Sequence, residues 1–321
     1  MASSDNPSQH NNEDFKLENV FTVKGKVALI TGGGSGIGLM ATQALAVNGA
    51  KVYITGRTQE KLDRVVETYS QGISGEIIQI PGDVTKKEDI AKLVQELSSK
   101  EKKLDILINN AGSVIPLPSC TLATYPLHLY SVSSTSFETE ASSAEEMKKN
   151  LFDSDEANFQ DWTDTYQTNV PQIYFTTTAL LPLLQAASDG TPGWSATVIN
   201  ITSISGLIKS AQHHFSYNAS KAAALHLTRM LANEVAQNGL KIRINSIAPG
   251  VFPSEMTAKE TGSGANQKSH IPKDKYADKV PARRPGQDRD MASAVLFTAT
   301  NQYLNGQHVV VDGGYTLAAG L

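Results

Sequence analysis

KVALITGGGSGIGLMATQALAVNG (26–49) is the stretch that decides the fold. Its first six residues, KVALIT, form a short apolar run ending in glycines, as a strand buried on both faces of a parallel sheet would. From Gly38, GLMATQALAVNG carries apolar residues at helical spacing and stops at Gly49. Between the two lies Thr31-Gly32-Gly33-Gly34-Ser35-Gly36-Ile37-Gly38. Glycines allow a tight turn and a close approach of backbone to a pyrophosphate, and the helix N-terminus adds free N–H groups. Gly32, Gly36 and Gly38 are spaced G-x-x-x-G-x-G, unlike the common dinucleotide fingerprint G-x-G-x-x-G. A strand before and a helix after favour a nucleotide cradle at Gly32, Ser35, Gly36, Ile37 and Gly38 over a merely flexible turn.

Outward from this unit the alternation continues. AKVYIT (50–55) reads as a strand, TQEKLDRVVETYS (58–70) as an amphipathic helix, and EIIQIPGDV (76–84) as the third strand. A helix over 86–99 and the strand LDILINN (104–110) follow. The pattern then predicts a helix over 156–187, the strand SATVINI (195–201), a helix over 214–238 and the strand KIRINSI (241–247). A helix over 288–299 precedes the last strand, QHVVVD (307–312). Strands alternating with helices imply right-handed βαβ units in one parallel sheet, here of seven strands. No Pro/Gly linker divides two such sets, so a single α/β domain over 24–321 is expected.

Three segments stand outside the rhythm. Residues 1–23 are polar and predict a disordered tail. Residues 113–155, rich in Ser, Thr, Pro and Leu, include Tyr125, His128, Tyr130 and Phe137. Residues 251–287 contain Gly262, Gly264, Pro272, Pro281 and Pro285. Irregular stretches of this length are usually functional loops or disordered.

The strand ends carry candidate ligand groups. An acidic residue ending the second strand would bind a ribose 2′-hydroxyl, whereas an Arg accommodates a 2′-phosphate. Gly56 occupies the acidic position and Arg57 follows, with a planar fork of donors suited to phosphate. That favours NADP(H) over NAD(H), against a simply solvated Arg. Asp83-Val84 ends the third segment, where a carboxylate could accept from an adenine amino group or cap a helix.

The chain has 321 residues, 28 basic and 32 acidic, with a formal charge of -4. This lacks the basic footprint of a nucleic-acid binder. A lone cysteine, Cys120, excludes an intramolecular disulfide framework and a Cys-rich zinc site. No apolar run reaches the roughly 18 residues that would span a bilayer, and the first twenty residues lack a signal-peptide core. A soluble cytoplasmic protein is expected.

Further motifs, in order, make the chain resemble the short-chain dehydrogenase/reductase family. They are TGGGSGIG (31–38), Asn109-Asn110-Ala111-Gly112, Ile201-Thr202-Ser203-Ile204-Ser205, Tyr217-Asn218-Ala219-Ser220-Lys221 and Asn245-Ser246-Ile247-Ala248-Pro249-Gly250. The resemblance implies a Rossmann-type doubly wound sheet. It implies cofactor contacts from Asn110, Ala111, Gly112, Tyr217, Lys221, Pro249 and Gly250, in addition to the cradle, Arg57, Asp83 and Val84. Its catalytic set maps onto Ser203, Tyr217, Lys221 and Asn169, the last resembling the family's mid-helix asparagine, which holds a water linking the lysine to solvent. It also implies a substrate lid at 251–287, with Phe252, Met256, Tyr276 and Val280 on its inner face. A homodimer or homotetramer built on the helices of Asn169 and Tyr217 is implied as well. The YLNGQHVVVDGGYT ending looks most like fungal members of secondary metabolism.

Chemistry agrees with that mapping. Tyr217 and Lys221 are four apart on a predicted helix and share a face. A free tyrosine has a pKa of about 10, and a neighbouring ammonium favours its phenolate. Tyr217 would exchange a proton with a carbonyl or alcohol oxygen of an apolar small-molecule substrate, a bulky, uncharged ketone or an acyl thioester, while NADP(H) carries the hydride. Ser203, at a strand's C-terminal end, would hold that oxygen; Thr202 and Ser205 compete locally. His213 and His214 read as flanking the cleft. No metal spacing is present, and G-x-S-x-G is absent around Ser203. The rivals are a 3-oxoacyl-thioester reductase and a non-catalytic nucleotide-sensing module.

Overall fold

The run VALIT becomes strand β1 (Val27–Thr31), buried along its whole length, in a computed structural model that describes residues 12–112, 136–155, 157–254 and 267–321. The other strands are β2 (Lys51–Thr55), β3 (Glu76–Gln79), β4 (Ile106–Asn109), β5 (Ala196–Ile201), β6 (Ile242–Pro249) and β7 (His308–Val311). They form one parallel sheet in the order β3-β2-β1-β4-β5-β6-β7. The chain builds outward from β1 to β3, then returns to β4 and builds the other way. The crevice beyond the C-terminal ends of β1 and β4 is therefore the switch point, where such sheets bind ligands.

Ten helices connect and flank these strands among the described residues. They are α1 (Leu17–Val20), α2 (Gly36–Val47), α3 (Gln59–Tyr69), α4 (Lys87–Lys100), α5 (Ala144–Leu151), α6 (Phe159–Asn169), α7 (Pro171–Asp189), α8 (Phe215–Gln237), α9 (Asp288–Thr300) and α10 (Tyr315–Ala319). Side chains alternate across a strand, so β1 feeds two cores. Ala28 and Ile30 pack with Leu39 and Leu45 of α2 and Met291 and Val295 of α9. Leu29 packs on the other face with Leu93 of α4, Leu180 of α7 and Leu231 of α8. Helices thus cover both faces of a doubly wound, Rossmann-type single domain.

The middle of the sheet buries a polar chain. Asn109 Nδ2 donates to Thr177 Oγ1 at 3.0 Å and to Asn200 Oδ1 at 2.9 Å, and Asn200 Nδ2 donates to Thr228 Oγ1 at 2.9 Å. Buried amides are tolerable only when paired in this way. The chain ties β4 and β5 to α7 and α8 directly beneath the strand ends.

Several expectations need correction. The single helix over 156–187 is two helices, α6 and α7, broken at Val170 (φ −121°, ψ −63°) with Pro171 opening the second. Proline lacks the N–H that would continue α6, but is well suited to a first helical turn. Asn169 is consequently the last residue of α6 rather than a mid-helix residue. The third strand stops at Gln79, so Asp83 and Val84 lie in the connection beyond it, although Gly82 N–H still donates to Gly56 O at 3.1 Å.

The tail is not disordered through residue 23. Helical turns occupy Asn12–Phe15 and Leu17–Val20, and Val23 is fully buried in the core; residues 1–11 lie outside the described residues. Of 113–155, the part 113–135 lies outside the described residues, while α5 falls within the rest. Of 251–287, residues 255–266, including Met256, likewise lie outside. Phe252 is not on an inner lid face. It is buried in the core with Met291 and Val295, against Gly286.

The polar chain makes a stability prediction. Asn200→Ala leaves the Asn109 amide and Thr228 hydroxyl short of a partner, and is expected to cost about 2–4 kcal/mol. Urea unfolding checks it, through a lower midpoint at unchanged slope.

Candidate active site

At the switch point, Thr31 Oγ1 accepts from the backbone N–H of Asn110 at 3.0 Å and of Ala111 at 2.9 Å. Asn110 Nδ2 donates back to Thr31 O and Gly32 O, each at 3.1 Å. The glycine loop is therefore held by the end of β4. Gly32 has φ +66° and Gly36 φ +53°, the left-handed region that glycine enters freely. A Cβ on Gly38 would overlap the Gly32 carbonyl oxygen. Ser35 precedes α2 without a side-chain cap, and no acidic residue lies in the first turn of α2. Neither a Ser35 cap nor a first-turn carboxylate therefore competes for its terminal N–H groups, as an anion cradle requires.

Around this cradle, Arg57 is exposed and makes no hydrogen bond or ion pair with the described residues. Asp83 Oδ1 accepts from Thr85 N–H at 3.0 Å and Thr85 Oγ1 at 2.7 Å, a local turn rather than a cap on α4, whose N-cap is Lys86. Val84 is buried beside it. Gly250 N–H donates to Val311 O at 2.9 Å, just beyond Pro249, where a Cβ would come 2.8 Å from Asp312 Cα. A glycine cradle, a helix start without a serine cap and a guanidinium unpartnered among the described residues fit a phosphate-bearing dinucleotide.

Four residues converge beyond β5. Helix α8 carries Tyr217 and Lys221 one turn apart. Ser203 caps the short turn Ile204–Gly206; its Oγ accepts from Ser205 N–H at 3.1 Å, and the side chain lies next to Tyr217, whose ionisation it eases. The competing hydroxyls are committed elsewhere: Thr202 Oγ1 donates to Ile247 O at 3.0 Å and Ser205 Oγ to Gln212 Oε1 at 2.9 Å. Asn169 Nδ2 donates to Ser220 Oγ at 3.1 Å, and Ser220 Oγ donates to Tyr217 O at 2.7 Å. Its Oδ1 lies 3.5 Å from where a Cβ on Gly112 would stand.

Electrostatics differ from the sequence expectation. Burial pushes Tyr217 above its ordinary value, opposed by the Ser203 hydrogen bond. Lys221 does not bring it down. The lysine is itself buried, which lowers it to about 8, and its Nζ is 5.6 Å from the Tyr217 ring while donating to Ile201 O at 3.4 Å. In this environment loss of solvent outweighs the neighbouring charge.

Three supporting residues were given no role by the sequence reading. Thr31 pins the loop, Ser220 links Asn169 to α8, and Gly206 lets the serine turn pack on α8, since a Cβ there would come 2.6 Å from Lys221 C. Strand-end position was the signal for Thr31, and the small residue after Ser205 for Gly206. His213 turns toward the 136–140 segment: its Nδ1 is 2.9 Å from Phe137 O, and its carbonyl accepts from Phe137 N–H at 2.9 Å. Among the described residues no group of His, Cys, Asp or Glu could hold a metal.

Comparison with known proteins identifies the class. A family profile described as short chain dehydrogenase matches residues 26–137, and one described as enoyl-(acyl carrier protein) reductase matches 141–316. The short-chain dehydrogenase/reductase PhomF of Diaporthe leptostromiformis is 34% identical over 317 residues, covering 98% of this chain and 97% of its own. Two solved structures superpose with a TM-score of 0.70. The Pseudomonas aeruginosa RhlG/NADP complex is 28% identical and covers 92% of this chain and 98% of its own. A 7α-hydroxysteroid dehydrogenase with NADH and 7-oxo glycochenodeoxycholic acid is 27% identical, covering 94% and 97%. The chain belongs to the short-chain dehydrogenase/reductase family. It is therefore an oxidoreductase whose relatives bind NAD(P).

Burial of Lys221 has a measurable sign. The unfolded lysine, near 10.5, binds more protons than the folded one between pH 8 and 10.5, so stability rises with pH across that window. Lys221→Met removes the buried charge and is expected to stabilise the protein by up to about 3 kcal/mol at pH 7, with the gain fading toward pH 10. Thermal melts of both proteins at pH 7 and pH 10 check the sign.

Proposed function

We propose that this chain interconverts a ketone and a secondary alcohol with NADP(H). The observation that carries the proposal is the grouping of Ser203, Tyr217 and Lys221 beyond β5, at the same sheet edge as the glycine cradle. Gly32, Ser35, Gly36, Ile37 and Gly38 would hold the pyrophosphate, and Arg57 the 2′-phosphate. Asp83 and Val84 would face the adenine, and Asn110, Ala111, Gly112, Pro249 and Gly250 would line the nicotinamide side. A bound nicotinamide supplies or accepts the hydride.

The chain's own groups manage the proton and the charge. Ser203 hydrogen-bonds the substrate oxygen and stabilises charge developing there. Tyr217, a phenol that burial makes harder to ionise, gives its proton to that oxygen in reduction and takes one back in oxidation. Lys221, lowered to about 8, can exchange a proton near neutral pH and replenish Tyr217. Asn169, close to Gly112 and Ser220, would position a water that links Lys221 to solvent. Parts 113–155 and 251–287 would shape the pocket and its lid.

NADP(H) is favoured over NAD(H) because Gly56 replaces the acidic residue and Arg57 is exposed with no partner among the described residues; the two structural neighbours bind one cofactor each. The second reading, reduction of a 3-oxoacyl thioester, is favoured by the acyl-carrier reductase profile over 141–316. An intact Ser203, Tyr217 and Lys221 weigh against a module that only senses nucleotide. Exposed Trp162 and Tyr166 on α6, Tyr174 and Phe175 on α7 and Met230 on α8 support a homodimer or homotetramer through this face, which carries a groove of about 650 Å³. Among the described residues no helix is long and apolar enough to cross a membrane, and we place the activity in the cytoplasm. The near-full-length likeness to a fungal reductase supports a role in fungal secondary metabolism.

Two measurements test this reading. With NADPH and a panel of apolar ketones and 3-oxoacyl thioesters, absorbance at the nicotinamide band should fall, and Tyr217→Phe should slow turnover about 100-fold or more. No oxidation with any panel member, or an unimpaired Tyr217→Phe, contradicts it. Arg57→Ala should raise the KM for NADPH about tenfold and leave that for NADH unchanged, since a charge-assisted phosphate contact is lost. Equal effects on both cofactors would remove the preference.

A further inference from the structure

Two consecutive residues ahead of α8 are strained. Gln212 has φ +50° and His213 φ +68°, the left-handed region that disfavours any residue bearing a Cβ. Such strain persists only where surrounding contacts hold it, and here the contacts are visible. The Gln212 amide is engaged at both ends. Its Oε1 accepts from Ser205 Oγ at 2.9 Å, and its Nε2 donates to the Tyr315 hydroxyl at 2.8 Å.

Each partner leads to a different part of the site. Ser205 donates its backbone N–H to Ser203 Oγ at 3.1 Å, which leaves the Ser203 hydroxyl its own proton to donate, with Tyr217 beside it. Tyr315 opens α10 and lies close to Tyr276, the last residue of the turn Lys273–Tyr276. The neighbouring His213 holds Phe137 through its ring and its carbonyl. The left-handed pair therefore joins the serine turn to the C-terminal helix on one side and to the 136–140 segment on the other.

We infer that Gln212 is a positioning residue: by bridging Tyr315 on α10 to Ser205, it sets the direction of the Ser203 hydroxyl toward Tyr217. The inference rests on the proposed roles of Ser203 and Tyr217. Through this bridge, α10 and the 267–287 segment beside it fix the geometry at the reacting oxygen, although neither supplies a group to it.

Gln212→Gly tests this, because glycine relieves the left-handed strain while removing the bridge. Its melting temperature should equal or exceed that of the unaltered protein. Its kcat should fall on the order of tenfold, as for a misplaced catalytic group, with NADPH affinity unchanged. Gln212→Glu can accept from both hydroxyls and should recover most of the rate; Tyr315→Phe should lose part of it. A second readout needs no substrate. Phenolate absorbance titrations, each protein against its own Tyr217→Phe counterpart, should show the Tyr217 pKa moving up in Gln212→Gly, since the Ser203 donation is lost. If kcat and titration both stay at their original values, or rate and melting temperature fall together without a shift in titration, Gln212 is only a structural brace. Absence of turnover in the unaltered protein, with the titration shift intact, would instead count against the ketone-reductase reading and leave the positioning role supported.

Discussion

Everything at the working edge depends on the clamp between Thr31 and Asn110. One threonine hydroxyl accepts two backbone N–H groups from the end of β4, and the Asn110 amide returns two bonds to the end of β1. A parallel sheet brings strand ends to one edge, but it does not fix the loops that leave them. The clamp does so for the first loop, at the point where strand order reverses. Gly38 can then pack on Gly32 with no room for a side chain, and α2 begins with neither a Ser35 cap nor a first-turn carboxylate competing for its N–H groups. The cradle is thus a property of β1 and β4 together, and not of the glycine string alone.

The other half of the site follows from burial. Below the strand ends, Asn109, Asn200, Thr177 and Thr228 satisfy one another and hold α7 and α8 against the sheet. That fixes α8, which presents Tyr217 and Lys221. Lys221 is then kept where water cannot solvate its charge, at a cost to stability and with a pKa brought near the range where protons exchange in neutral solution. The same burial raises Tyr217 above its ordinary value. A fold optimised for stability alone would not bury this lysine without a carboxylate partner.

Much of this was legible in the residues. The seven apolar runs and the glycine spacing are local signals, because strand burial and tight turns constrain the residues that make them. Ser203, Tyr217 and Lys221 could be placed because each lies at a strand end or on one helix face. What could not be read depends on partners distant in sequence. The Asn110 side chain is spent on the glycine loop, Lys221 reaches a carbonyl of β5, and Phe137 pairs with His213. The break at Val170 was masked by apolar periodicity running through Pro171, although the missing proline N–H was the signal for it. Gln212 belongs to no motif, and only its backbone angle marks it.

In the reaction we propose, the cradle and the serine–tyrosine pair act on one substrate, with hydride passing between cofactor and carbon while Tyr217 handles the proton. Isotope transfer tests that claim most directly. NADPH carrying deuterium at nicotinamide C4, prepared in each stereochemical form, is turned over with a ketone substrate and the alcohol is analysed by mass spectrometry. One deuterium is expected on the carbinol carbon from one of the two forms, and none at that carbon when the label is in the solvent. An alcohol unlabelled from both forms, or labelled at that carbon from heavy water, would contradict it.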